Sequence, residues 1–132
     1  MPMTTDESTH ELPGWLTVRV EERDGHAVVR LDGELDLLTR PRLSAACDDL
    51  LSRGVRRIVI DAAGLSFSDC AGLSALLGVR REAWRLGGSL VLTGVHGMPA
   101  RLLAITGAAA TLLPGETTGP AEAVGPAEAV GE

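Results

Sequence analysis

The sequence predicts a single α/β domain, a mixed and mostly parallel sheet with helices packed against it. Three observations carry that expectation. Short β-branched runs alternate along the chain with stretches whose apolar residues recur at helical spacing. The first two runs are joined by Asp24-Gly25, a dipeptide suited to a tight hairpin, so one antiparallel pair is expected among otherwise parallel strands. The chain has 132 residues, enough for one ordinary core and too few for two.

The elements follow in order. Leu16, Val18 and Val20 alternate with polar residues, the pattern of a half-buried strand. A return strand runs from His26 to Leu31 and ends in a glycine-containing acidic corner, Asp32-Gly33-Glu34-Leu35-Asp36. Thr39 then caps a helix that tolerates Pro41 in its first turn and carries Leu43, Ala46, Cys47, Leu50 and Leu51 as its apolar stripe, up to Gly54. Arg57–Asp61 reads as a central strand covered on both faces. A second helix starts at Asp69, a good N-cap, and presents Leu73, Leu76, Leu77 and Trp84 before stopping near Gly87-Gly88. Ser89–Thr93 is a further strand, Pro99–Thr106 a short helix with Leu102, Leu103 and Ile105 turned inward, and Thr111–Leu113 a last strand.

Charge is unevenly placed, and its location decides which partners are excluded. Residues 1–15 carry Asp6, Glu7 and Glu11, residues 114–132 carry Glu116, Glu122, Glu128 and Glu132, and neither tail has an Arg. The net −6 therefore resides in the tails, while residues 16–113 stand near +1. Without a basic field, and with one Phe, two Trp and no Tyr, the body offers little for nucleic acid. Residues 1–15 read as a flexible acidic segment. The C-terminal stretch, in which GPAEAV occurs twice in tandem at 119–124 and 125–130, reads as a disordered tail, because Gly-Pro breaks recur before a helix reaches stable length. The absence of an apolar span or a leader-like N-terminus predicts a cytoplasmic protein with no membrane partner.

Two cysteines, Cys47 and Cys70, form neither a disulfide framework nor a Cys/His cluster, so no metal and no cofactor are expected. Cys47 sits in the apolar stripe of the first helix as a small hydrophobe. Cys70 lies at the start of the second helix, where unpaired amide groups and partial positive charge make a recognition point that Asp69 partly satisfies. Glu34 and Asp36 are a carboxylate pair without a nucleophile, ligand set or phosphate loop beside them, so acid–base catalysis is not indicated and no enzyme is expected. His10, His26 and His96 are isolated along the chain.

Two segments together carry a family signature: Gly33-Glu34-Leu35-Asp36, and Leu65-Ser66-Phe67-Ser68-Asp69-Cys70-Ala71-Gly72-Leu73. Over about residues 16–113 the chain resembles the STAS domain, and more narrowly the bacterial anti-sigma-factor antagonists. The resemblance implies a non-enzymatic module that binds a kinase-type anti-sigma factor, frees a sigma factor and so regulates transcription by partner switching. It also implies a docking surface of Gly33, Glu34, Asp36, Ser68, Asp69, Cys70, Ala71, Gly72 and Leu73. In the family the kinase phosphorylates a serine immediately after the motif's Asp. Here Cys70 stands at that phosphoacceptor position, Ala71 removes the next hydroxyl, and Ser68 and Ser74 do not occupy the matching place. A thiol has nearly the shape of the hydroxyl but is not an ordinary serine-kinase substrate, so docking without the off-switch is expected. Two alternatives follow from the same residue: a STAS scaffold or sensor subunit with a frozen switch, or a thiol-based redox switch at Cys70.

Overall fold

A computed structural model describes residues 15–114. Among them the element order is β1 (Leu16–Arg23), β2 (His26–Leu35), α1 (Arg40–Ser52), β3 (Arg57–Ser68), α2 (Cys70–Arg85), β4 (Ser89–Thr93), α3 (Gly97–Thr106) and α4 (Ala109–Leu112). The boundary expected at 16–113 falls within this range, and the expected flexible N-terminal segment and GPAEAV tail lie outside the described residues apart from their innermost positions.

The four strands are ordered β1-β2-β3-β4. β1 and β2 form the antiparallel hairpin, closed by Asp24 and Gly25 at positive φ, while β2–β3 and β3–β4 are parallel. This is the mixed, mostly parallel sheet the sequence predicts. Ala27, Val29 and Leu31 of β2, Ile58 and Ile60 of β3, and Leu90 and Leu92 of β4 are buried. Leu43, Cys47, Leu50 and Leu51 of α1 and Leu73, Leu76, Val79 and Ala83 of α2 join them in one core. Alternation along the strands sends Val28, Val59 and Val91, half-buried, to the opposite face beside the Glu21–Arg30–Asp61 ion pairs. Among the described residues no helix is long and apolar enough to cross a membrane.

Several elements depart from the expectation. β2 does not end at Leu31 but continues through the acidic corner to Leu35, and β3 runs to Ser68 rather than Asp61. The two strands stay paired there through register irregularities between Arg30 and Asp32 and between Gly33 and Glu34. Such bulges let a strand pass through residues that read locally as a turn. Thr111–Leu113 is not a strand: residues 109–112 form the short helix α4, which buries Leu112 against β4. Ile105, expected inward, is 75% exposed, and Trp84, assigned to the apolar stripe of α2, is 44% exposed. Thr39 occupies the N-cap position of α1 but its side chain caps nothing there. Its hydroxyl is used elsewhere, as the site geometry shows.

Candidate functional site

The two motif segments meet at one end of the sheet. Leu35, the last residue of β2, pairs with Ser68, the last residue of β3. The next amide, Asp69 N–H, donates to the Leu35 carbonyl at 3.3 Å, so the start of α2 is tied directly to the end of β2. Asp69 is the N-cap of α2 in extended conformation, and its carboxylate accepts from Gly72 N–H at 2.8 Å, as the sequence predicts. That bond satisfies one of the orphan amides of the first turn and leaves Cys70 exposed at the first helical position.

Close packing, rather than accessibility, explains the two motif glycines. A Cβ on Gly72 would strike the carbonyl of Leu35 and lie 2.8 Å from Ser68 Oγ. Gly33 has φ +118°, and a Cβ there would run into the Trp15 ring and lie 2.6 Å from the Trp15 carbonyl oxygen. Both glycines are buried, as is Leu73, which joins the core. Ser68 is only 3% exposed and its hydroxyl donates to the Asp69 carbonyl at 3.2 Å. Of the nine residues expected on a docking surface, Gly33, Ser68, Gly72 and Leu73 are buried, Cys70 is exposed, and Glu34, Asp36, Asp69 and Ala71 are half-buried.

Asp36 has a second duty. Its Oδ1 accepts from Leu38 N–H and Thr39 N–H, both at 3.0 Å, and its carbonyl accepts from Arg40 N–H at 2.9 Å. The buried Thr39 hydroxyl donates to the Glu34 carbonyl at 2.8 Å and accepts from Asp36 N–H at 3.0 Å. These bonds replace the helix cap expected of Thr39 and lock the turn between β2 and α1. They hold Leu37 and Leu38 outward, 58% and 68% exposed. Sequence reasoning passed over this pair. The available signal was two adjacent leucines in a turn that has no apolar face to bury them.

Beneath the start of α2, Leu65, Ser68, Leu73, Leu92, Val95 and Leu102 line part of a shallow apolar crevice between β3, β4 and α3, where Ser68 is the one polar side chain in the lining. Among the described residues no group of three or more His, Cys, Asp or Glu is placed to hold a metal. The two thiols differ sharply in setting. Burial, with Asp48 adding to it, pushes the Cys47 thiol up to about 12, whereas Cys70 faces solvent.

Known proteins share this fold. The chain is 31% identical over 93 residues to the anti-sigma F factor antagonist of Paenibacillus polymyxa, a match covering 70% of this chain and 80% of that protein. It is 28% identical over 92 residues to an anti-sigma-B factor antagonist of Staphylococcus aureus, covering 70% and 85%. A crystal structure of an anti-sigma factor antagonist from Mycobacterium paratuberculosis superposes with a TM-score of 0.68 at 27% identity, over 80% of this chain and 91% of that one. The antagonist SpoIIAA in its unphosphorylated form superposes with a TM-score of 0.62 at 25% identity, over 69% and 81%, and SpoIIAA is also known in a phosphorylated form. The STAS domain profile matches residues 17–121, and with the sheet order and both motif segments in place, the chain belongs to the STAS domain family.

Proposed function

We propose that this protein is a cytoplasmic anti-sigma-factor antagonist that binds a kinase-type anti-sigma factor through the first turn of α2 and the adjoining Glu34–Leu38 segment. Binding frees a sigma factor and so regulates transcription by partner switching, and the protein itself catalyses nothing. The observation that carries the proposal is the exposed Cys70 at the first position of a capped helix, directly after the motif's Asp69. The relatives named above are anti-sigma factor antagonists, which supports this partner class.

Cys70 sets the regulation. A phosphoryl group at this position would add about −1.5 to −2 charges next to Asp69, enough to repel a docked partner without refolding the domain. The thiol offers shape without the hydroxyl the kinase uses, so the protein stays in its binding-competent form. Ser68 does not substitute for it, being buried under Asp69 and Gly72. Ser74 is exposed but lies a turn further into α2.

The test is intact-mass spectrometry after incubation with the kinase-type partner and ATP, read beside partner affinity. Wild type is expected to remain unmodified and bound, and Cys70→Ser to gain one phosphate and release the partner. Cys70→Asp should bind more weakly, by on the order of 2 kcal/mol, because a fixed charge beside Asp69 is repelled. A phosphate on wild type mapped to Ser74, with binding lost, overturns the constitutive reading. Loss of affinity on mild oxidation, reversed by a thiol, transfers control to Cys70 redox chemistry.

A further inference from the structure

The Leu37–Leu38 turn is an unusual place for apolar surface. Isolated exposed leucines are common, but two in succession within a turn expose a contiguous patch that the fold itself does not use. Neither side chain belongs to the core. The turn is also rigid: the Asp36 carboxylate holds the Leu38 and Thr39 amides, and the buried Thr39 hydroxyl ties it back to Glu34. Through the Asp69 N–H to Leu35 carbonyl bond and the packing of Gly72 on Leu35, the same segment is fixed to the helix start that bears Cys70. A turn whose backbone is already held in place loses little further backbone freedom on binding, a property that suits an interface anchor.

We infer that Leu37 and Leu38 are the apolar anchor through which this protein grips its anti-sigma factor, seated in an apolar groove of the partner. The inference rests on the docking function proposed above and extends it to residues outside both motif segments. Continuity argues for that occupant, since the turn and Cys70 are parts of one hydrogen-bonded unit. Charge around the turn is mixed: Glu34, Asp36 and Asp69 lie on the side of Cys70, and Arg40 follows the turn at the start of α1.

The experiment measures affinity by calorimetry between the full chain and each purified kinase-type anti-sigma factor of its source organism. Wild type, Leu37→Ser/Leu38→Ser and Leu37→Met/Leu38→Met are compared, with circular dichroism melts and sedimentation of each. The serine variant is expected to melt with wild type and bind about 30-fold or more weaker, while the methionine variant stays within about fivefold. A serine variant that binds within about threefold of wild type overturns the anchor while leaving the docking function intact. A wild-type dimer that the serine substitutions dissociate also overturns it, by giving the patch to a second copy. Wild type that binds none of the anti-sigma factors overturns the docking function itself, and the anchor with it.

Discussion

The Cα of Gly72, in the first turn of α2, rests against the carbonyl of Leu35 at the end of β2, with no room between them for a methyl group. This contact sets the distance between the two segments that form the candidate site. Gly72→Ala forces backbone apart rather than a flexible side-chain end, and is expected to destabilise the domain by about 1–3 kcal/mol. A thermal melt checks it, with a midpoint drop of about 4–8 °C for each kcal/mol in a domain near this size. A variant melting with wild type would mean that the helix start slides freely on β2.

Thr39 is expected to matter through its hydroxyl alone. Thr39→Val keeps the volume but leaves the Asp36 amide and the Glu34 carbonyl without their buried partner, a loss of about 1–3 kcal/mol. Thr39→Ser, which keeps the hydroxyl, should lose far less. Urea unfolding of the two variants separates these outcomes, and partner affinity should follow the valine loss because the Leu37–Leu38 turn loosens.

Asp69 acts as a cap for α2. Asp69→Ala removes the acceptor for Gly72 N–H and is expected to cost about 1 kcal/mol, whereas Asp69→Asn retains an acceptor and should stay within a few tenths. If the asparagine variant keeps stability but loses partner binding, the Asp69 charge itself is read by the partner.

The two thiols give a pH-dependent test. At pH 8 under native conditions an alkylating reagent should modify Cys70 and spare Cys47, so intact mass shows one adduct, and two only after denaturation. Burial raises the Cys47 pKa from 9.0 to about 12, so its contribution to stability is intact below pH 9 and is lost as pH rises toward 12, where the unfolded thiol ionises and the folded one resists. The full effect is on the order of 4 kcal/mol. The chain has no Tyr and all twelve of its basic residues are Arg, so few other side chains titrate in that window. Cys47→Ala should flatten the alkaline loss of stability measured by denaturant titration.

Much of the fold was legible in the residues because the signals are local. The helix that begins at Asp69 follows from an N-cap preceding an apolar stripe, the β1–β2 hairpin from Asp24-Gly25, and the place of Cys70 from its neighbours in the motif. Apolar periodicity and capping depend on residues within one turn, so the chain carries them by itself. The tertiary structure decided the rest. Gly33 reads as part of a turn, yet β2 passes through it, and the Trp15 ring occupies the place of its missing side chain. Thr111–Leu113 has the composition of a strand, but the chain there turns Leu112 into the core as a single helical turn. Whether a motif residue faces a partner or supports the site from below depends on what packs over it. Gly33, Ser68, Gly72 and Leu73 were covered by neighbours distant in sequence or by the turn of α2, while Leu37 and Leu38 were left exposed by a turn whose bonds come from Asp36 and Thr39. Local pattern specifies which residues form an element, and burial is a property of the neighbours that only the assembled fold brings together.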